Sequence, residues 1–154
     1  MTRFIAIATL LSLIFISCED DKPQAQKDDE KIKDYISQNN LDMTRHSTGV
    51  YYKIYNEGSG TNPGYYSKVK VTYKGYLTNG YVFDEGILDY YALNQLITGW
   101  QIGLPMIKQG GSMKLIIPST YGYPEMKEYD SEGELVTTHS RPILVFDLTL
   151  IDHR

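Results

Sequence analysis

Between Lys68 and Leu77 the chain alternates: Val69, Val71 and Tyr73 stand against Lys68, Lys70, Thr72 and Lys74, and the run breaks at Thr78-Asn79-Gly80. Side chains two residues apart on a strand share a face, so this run is a half-buried antiparallel strand that offers one face to a core. An Asn-Gly pair supplies the backbone that a tight hairpin turn needs, and the chain returns at once through Tyr81 to Phe83. The same period recurs in Val50, Tyr52 and Ile54, and again in Met113, Leu115 and Ile117, which Pro118 stops. It closes with Leu144, Phe146, Leu148 and Leu150 inward against Val145, Asp147 and Thr149 outward,. Glu57 to Gly64 is a turn-rich loop,. Among these strands only Gly99 to Ile107 reads as a helix, with Trp100, Leu104 and Ile107 at i, i+4 and i+7,. Pro105 limits that helix to about two turns. The expected fold is α+β, a curved antiparallel β-sheet of about five strands wrapped over one short α-helix.

The N-terminal end follows other rules. Met1-Thr-Arg3 followed by an apolar run from Phe4 to Ile16 reads as the basic and hydrophobic regions of a secretory signal,. The run falls short of the roughly 20 residues of a membrane span. Phe15-Ile-Ser-Cys18 resembles a bacterial lipobox, although Phe15 replaces the usual leucine-like residue, and Cys18 is the only cysteine. The expectation is a signal peptide over 1–17 and a lipidated Cys18 that anchors the chain to a membrane. Glu19-Asp20-Asp21 resembles the acidic signal that sends lipoproteins of Bacteroidetes-like bacteria to the cell surface. The place implied is the cell envelope: the outer membrane, on its periplasmic or surface-exposed face. Residues 18–46 then form a polar tether with a short helix, capped by Asp28 or Asp29, with Ile32, Tyr35 and Ile36 on one face and Asn39-Asn40 at its end,. That helix packs beside the domain or mediates dimer contacts, and the sequence is silent on oligomeric state. Residues 47–154 are the folded domain. With 15 Lys and Arg against 19 Asp and Glu, and lysines spread along strand faces, no basic patch serves nucleic acid,.

Searches for conventional reactive chemistry fail. His46, His139 and His153 lack ligand spacing for a metal,. No serine occupies a nucleophile elbow, and Gly110-Gly111 opens no helix that could hold a phosphate,. Asp84, Glu85 and Asp89 could pair as acid and base, but each fits a turn as well. No cofactor is expected. What remains is an aromatic set carrying a single carboxylate, suited to a neutral apolar peptide segment.

That set is ordered in a way that resembles the FKBP-type peptidyl-prolyl isomerases, from about Gly49 to Asp152. The residues that carry the likeness are Val69-Lys-Val-Thr-Tyr-Lys-Gly-Tyr-Leu77, Asn79-Gly80, Phe83-Asp84, Leu96-Ile-Thr-Gly-Trp100, Met106, Gly110, Ile117-Pro-Ser-Thr-Tyr-Gly122 and Leu144-Val-Phe-Asp-Leu-Thr-Leu150. The resemblance implies a membrane-anchored peptidyl-prolyl cis-trans isomerase acting on X-Pro bonds of exported polypeptides. Its pocket would be Tyr73, Phe83, Asp84, Leu96, Ile97, Trp100, Tyr121 and Phe146. Trp100 would be the floor, and Tyr73, Phe83 and Phe146 the walls. Ile97 would offer its backbone N–H, Tyr121 its hydroxyl at the rim, and Asp84 its carboxylate at the edge. Tyr90 or Tyr91 stands where the family has a phenylalanine, with Tyr91 assigned to contact substrate. Two departures stand out. Glu85-Gly86-Ile87 replaces a serine-rich bulge, and no basic residue supports the aspartate. The flap from Tyr123 to Ser140 is long and polar, with Thr137 and Thr138 where the family places a covering isoleucine. The alternatives are a peptide-binding or chaperone module without turnover, and a structural lipoprotein of a surface machine such as the gliding apparatus.

Overall fold

The computed structural model describes residues 22–154. The expected signal over 1–17, Cys18 and Glu19-Asp20-Asp21 lie outside the described residues. Helix α1 (Gln24–Gln38) comes first, followed by strands β1 (Thr44–Arg45), β2 (Tyr51–Asn56), β3 (Lys68–Leu77) and β4 (Val82–Ala92). A 3₁₀ turn (Leu93–Gln95), helix α2 (Thr98–Gly103) and a second 3₁₀ turn (Leu104–Met106) lead to β5 (Ser112–Ile117). After another 3₁₀ turn (Ser119–Tyr121) come β6 (Glu125–Tyr129), β7 (Leu135–Ser140) and β8 (Leu144–His153).

The sheet has six strands in the order β1-β2-β5-β8-β3-β4, every neighbouring pair antiparallel. The sixth strand is the two-residue edge β1, too short for a periodic pattern to announce. The Asn79 turn closes as expected: Gly80 adopts φ 91° and its N–H donates to the Leu77 carbonyl at 2.9 Å. Along β3 and β8 the apolar positions Val69, Val71, Leu148 and Leu150 are all buried, and they pack with Leu104, Ile107, Met113 and Leu115 in one core. Helix α2 presses onto β5 through two glycines. A Cβ on Gly99 would lie 2.5 Å from Ile117, and one on Gly103 would lie 2.4 Å from Leu115. Only side-chain-free positions let the helix backbone come that close, which lowers Trp100 onto the sheet.

Two expectations are corrected here. The first is the other face of the sheet. Val145 was expected outward, but it is fully buried with Tyr51, Ile116, Ile143 and Ile32 in a second cluster. Helix α1 covers it, because its stripe of Ile32, Tyr35 and Ile36 needs an apolar floor,. The second is the start of α1. The helix begins at Gln24 after Pro23, and neither Asp28 nor Asp29 caps it. Proline before the first turn removes an N–H that would have had no partner. Asp28 is instead buried, and Asp29 binds Lys33 and Arg45 at 2.7 Å each and accepts from the Tyr51 hydroxyl at 3.0 Å. The polar flap is a β6–β7 ribbon. Its tip is the expected Asp130–Gly133 turn, in which the Asp130 carboxylate accepts from the Glu132 and Glu134 N–H groups at 3.0 and 2.8 Å.

Candidate active site

Strand β4 builds one wall by breaking its own alternation. Gly75 pairs with Asp84 and Tyr76 pairs with Val82, so Phe83 is an extra, unpaired residue. In an unbroken strand Phe83 and Asp84 would face opposite sides of the sheet. The bulge re-aims Phe83, and both side chains line a single hollow of about 180 Å³. The other lining residues are Tyr73 from β3, Leu88 from β4, Leu96, Ile97 and Trp100 from α2 and its approach, Tyr123, and Phe146 from β8.

The aromatic rings form an unbroken edge-to-face chain. Tyr73 meets Trp100 at 5.4 Å and 71°. Trp100 meets Phe146 at 5.3 Å and 84°. Phe146 meets Phe83 at 5.6 Å and 85°, and Phe83 meets Tyr123 at 6.4 Å and 87°. Each such contact adds about 0.5–1.5 kcal/mol beyond burial, so the walls are fixed before any ligand arrives. Trp100 is 5 % exposed, and its indole N–H is the one buried side-chain donor without a partner among the described residues. An unmade buried hydrogen bond costs about 1–3 kcal/mol. Gln101 holds the approach to α2, its side-chain amide donating to the Leu96 carbonyl at 2.7 Å.

The polar group of the hollow is Asp84. Its carboxylate accepts from the Tyr73 hydroxyl at 2.8 Å. Burial pushes the Tyr73 phenol up to about 12, and its bond to Asp84 adds to the effect. Burial also raises Tyr123, with the Asp84 charge contributing. Both phenols therefore stay protonated at neutral pH, and Asp84 stands without a basic neighbour in the lining.

Of the residues picked from the sequence, Tyr73, Phe83, Asp84, Leu96, Ile97, Trp100 and Phe146 come together in this hollow. Two do not. Tyr121, at the end of the 3₁₀ turn, packs on the main cluster but lines a separate cleft of about 130 Å³ with Ala25, Asp29, Arg45 and Pro118. Tyr123 takes the rim instead. Tyr91 pairs with Val69 at the far end of β4 and is 46 % exposed, outside the hollow. A bulge between Leu88 and Tyr91 sets Tyr90 at φ 47°, where its hydroxyl bonds Asp152 and its ring stacks 3.9 Å from the Arg154 guanidinium. Leu88 fills the hollow in their place. The second tyrosine of Tyr121-Gly122-Tyr123 was the only signal for Tyr123, and nothing marked Leu88. Thr137 and Thr138 sit on β7, paired with Glu128 and Lys127, outside the lining. A larger groove of about 690 Å³ runs between α1 and Thr138–Ile143, but its walls are mostly polar and it shares no residue with the aromatic hollow.

The chain is similar to proteins of one known family. Residues 60–151 match the family described as FKBP-type peptidyl-prolyl cis-trans isomerase. The chain is 32 % identical over 136 residues to the probable FKBP-type peptidyl-prolyl cis-trans isomerase FkpA of Neisseria meningitidis serogroup B, covering 86 % of this chain and 47 % of that protein. It is 29 % identical over 149 residues to a probable isomerase of the same type from Haemophilus influenzae, covering 94 % and 59 %. Among solved structures, FkpA from Escherichia coli superimposes with a TM-score of 0.66 at 31 % identity, covering 84 % of this chain and 61 % of that one. AtFKBP13 shares the fold, with a TM-score of 0.61. The chain spans about half the length of the curated relatives it matches.

Proposed function

Because this chain belongs to the FKBP-type peptidyl-prolyl cis-trans isomerase family, we propose that it accelerates rotation about X-Pro bonds in polypeptides bound by their proline in the aromatic hollow. The observation that carries this is the hollow itself: Tyr73, Trp100, Phe146 and Phe83 edge to face, with one carboxylate bonded to a phenol at the rim. Rotation about the peptide bond faces about 18–20 kcal/mol because resonance is lost in the twisted state. The planar imide is the more dipolar form, so an apolar enclosure disfavours it relative to the twisted one. Donors that fit only the twisted geometry add to the effect. The unpartnered Trp100 indole N–H and the backbone N–H of Ile97 are the groups we assign to that task. Lowering the barrier by ~5–6 kcal/mol gives about 10⁴-fold at ~1.4 kcal/mol per decade. No nucleophile is consumed and no proton needs to move.

We assign as substrates proline-containing segments of exported polypeptides, with an apolar residue before proline to lie on Leu88 and Leu96. In the same reading Cys18 carries lipid and α1 links that anchor to the domain. Membrane partition that is lost on Cys18→Ala tests this, and an unchanged distribution overturns it. The isomerase assignment is tested by a protease-coupled or NMR-exchange assay on purified protein. Acceleration is expected with the native protein and a large loss with Trp100→Ala or Asp84→Ala. No rate above background from the folded native protein removes it.

A second reading, proline-peptide binding without turnover, is favoured by one observation: Thr137 and Thr138, where the family has a covering isoleucine, lie on β7 outside the lining of the hollow. Binding that persists while exchange stays at background would support it.

A further inference from the structure

Asp28 lies on α1, outside the residues that match the family, yet it is only 2 % exposed. One carboxylate oxygen accepts from both the backbone N–H and the hydroxyl of Ser119, at 2.9 and 2.7 Å. The other accepts from the Gln24 amide at 2.7 Å. Two hydrogen bonds to one carboxylate oxygen thus hold a single residue of a short turn. That turn passes the constraint on. Ser119 opens the 3₁₀ turn that the Tyr121 N–H closes on the Pro118 carbonyl at 2.9 Å. Gly122 follows with no slack, since a Cβ there would lie 2.7 Å from Leu144. The next residue is Tyr123, which enters the aromatic hollow and meets Phe83 edge-on.

We propose that Asp28 is a positioning residue: by clamping Ser119 it sets Ser119–Gly122 so that Tyr123 closes the hollow against Phe83, and α1 thereby tunes affinity for proline-containing segments. The consequence for affinity rests on the isomerase reading given above, whereas the placement of Tyr123 does not. A clasp that merely pinned α1 to the sheet would change stability and leave the hollow unaltered.

Two readouts separate these. The first is the set of NOEs between the Tyr123 and Phe83 rings in the folded protein. The second is the dissociation constant of a short peptide with an apolar residue before proline, followed by the fluorescence of Trp100, the only tryptophan in the chain. In Asp28→Ala, below its melting temperature, the NOEs are expected to fade and binding to weaken about tenfold, the order of one lost aromatic contact. Asp28→Asn keeps an oxygen for the Ser119 N–H and is expected to restore both to within about twofold. In a Tyr123→Ala background, Asp28→Ala should cost no further affinity while still lowering the melting temperature. Unchanged Tyr123–Phe83 NOEs in folded Asp28→Ala, or an equal loss of affinity in both backgrounds, overturn the proposal. If Asp28→Ala does not fold, Ser119→Ala, which keeps the backbone bond, replaces it with the same NOE criterion. A native protein that binds no proline peptide sinks the isomerase reading alone, and the NOEs still decide this one.

Discussion

Gly75→Ala is the sharpest probe of the hollow, because it adds one methyl group directly behind two of its walls. A Cβ at position 75 would lie 2.6 Å from Phe146 Cε1 and 2.7 and 2.8 Å from Phe83 Cζ and Cε2. Carbon atoms sit about 3.5–4.0 Å apart at contact, so each ring must give by roughly 1 Å. Phe146 is 2 % exposed and held by Trp100 on its other side, so it has nowhere to go. Phe83, at the bulge and only partly buried, must swing, and it carries the contact to Tyr123 with it. Overpacking of this kind costs about 1–3 kcal/mol. A displaced wall should weaken proline-peptide binding by about 10- to 100-fold, or ~1.4–2.8 kcal/mol. Gly86→Ala is the internal control: it sits opposite Tyr73 on β4 and a Cβ there meets nothing within 4 Å. That variant should stay within about 0.5 kcal/mol of native stability with unchanged affinity. Urea unfolding and titrations followed by Trp100 fluorescence measure both quantities. Native-like binding and stability in Gly75→Ala would mean that Phe83 and Phe146 are not packed as described, and the derivation of the hollow would fail with them.

Acid titration probes α1. The Asp29 carboxyl is held at about 2, below its ordinary 3.8, chiefly by the Lys33 ammonium, with Arg45 and Tyr51 assisting against burial. Since the folded value is the lower one, its contribution is complete above 3.8 and drains away as pH falls through about 2,. Lys33 and Arg45 are half-exposed or more, so Asp29→Asn should cost only ~1 kcal/mol at pH 7, a gap that closes near pH 2; a gap constant with pH contradicts the ion-pair account. Trp100→Phe removes the partnerless N–H together with some apolar area. Its stability should fall by less than ~1.5 kcal/mol, well short of the ~3–5 of a truncation to alanine, while isomerisation falls by about tenfold or more; full activity in this variant would remove the indole N–H from the mechanism.

The strands were legible because period two is a local signal: Val69 to Tyr73 and Leu144 to Leu150 needed no partner to be read. The family resemblance, carried by the ordered motifs, also implied seven members of the hollow. What escaped depends on geometry that no pattern encodes. Phe83 and Asp84 are adjacent, so alternation alone would have separated them, and only the extra residue in β4 brings them to one face. A second bulge displaced Tyr91 and admitted Leu88. A single 3₁₀ turn exchanged Tyr121 for Tyr123. Val145 read as outward because a sheet face looks exposed until something covers it, and the cover is a helix more than 75 residues earlier in the chain.

The hollow also shows why its residues cannot be divided into core and site. Phe146 and Trp100, 2 % and 5 % exposed, belong to the main buried cluster and also serve as wall and floor of the hollow. Phe146→Ala should therefore cost ~3–5 kcal/mol of stability, a large part of the ~5–15 kcal/mol a domain of this size holds, together with the loss of binding. Leu96 belongs to the same lining but is only partly buried at the rim. Leu96→Ala should cost about 1–1.5 kcal/mol of stability and a similar amount of binding, leaving a folded protein of about tenfold lower affinity. Paired denaturation and fluorescence titration of the two variants distinguish the roles. If Phe146→Ala keeps native stability and only loses affinity, the ring is a wall resting on an independent core, and the continuous edge-to-face chain from Tyr73 to Tyr123 is not what holds the hollow open.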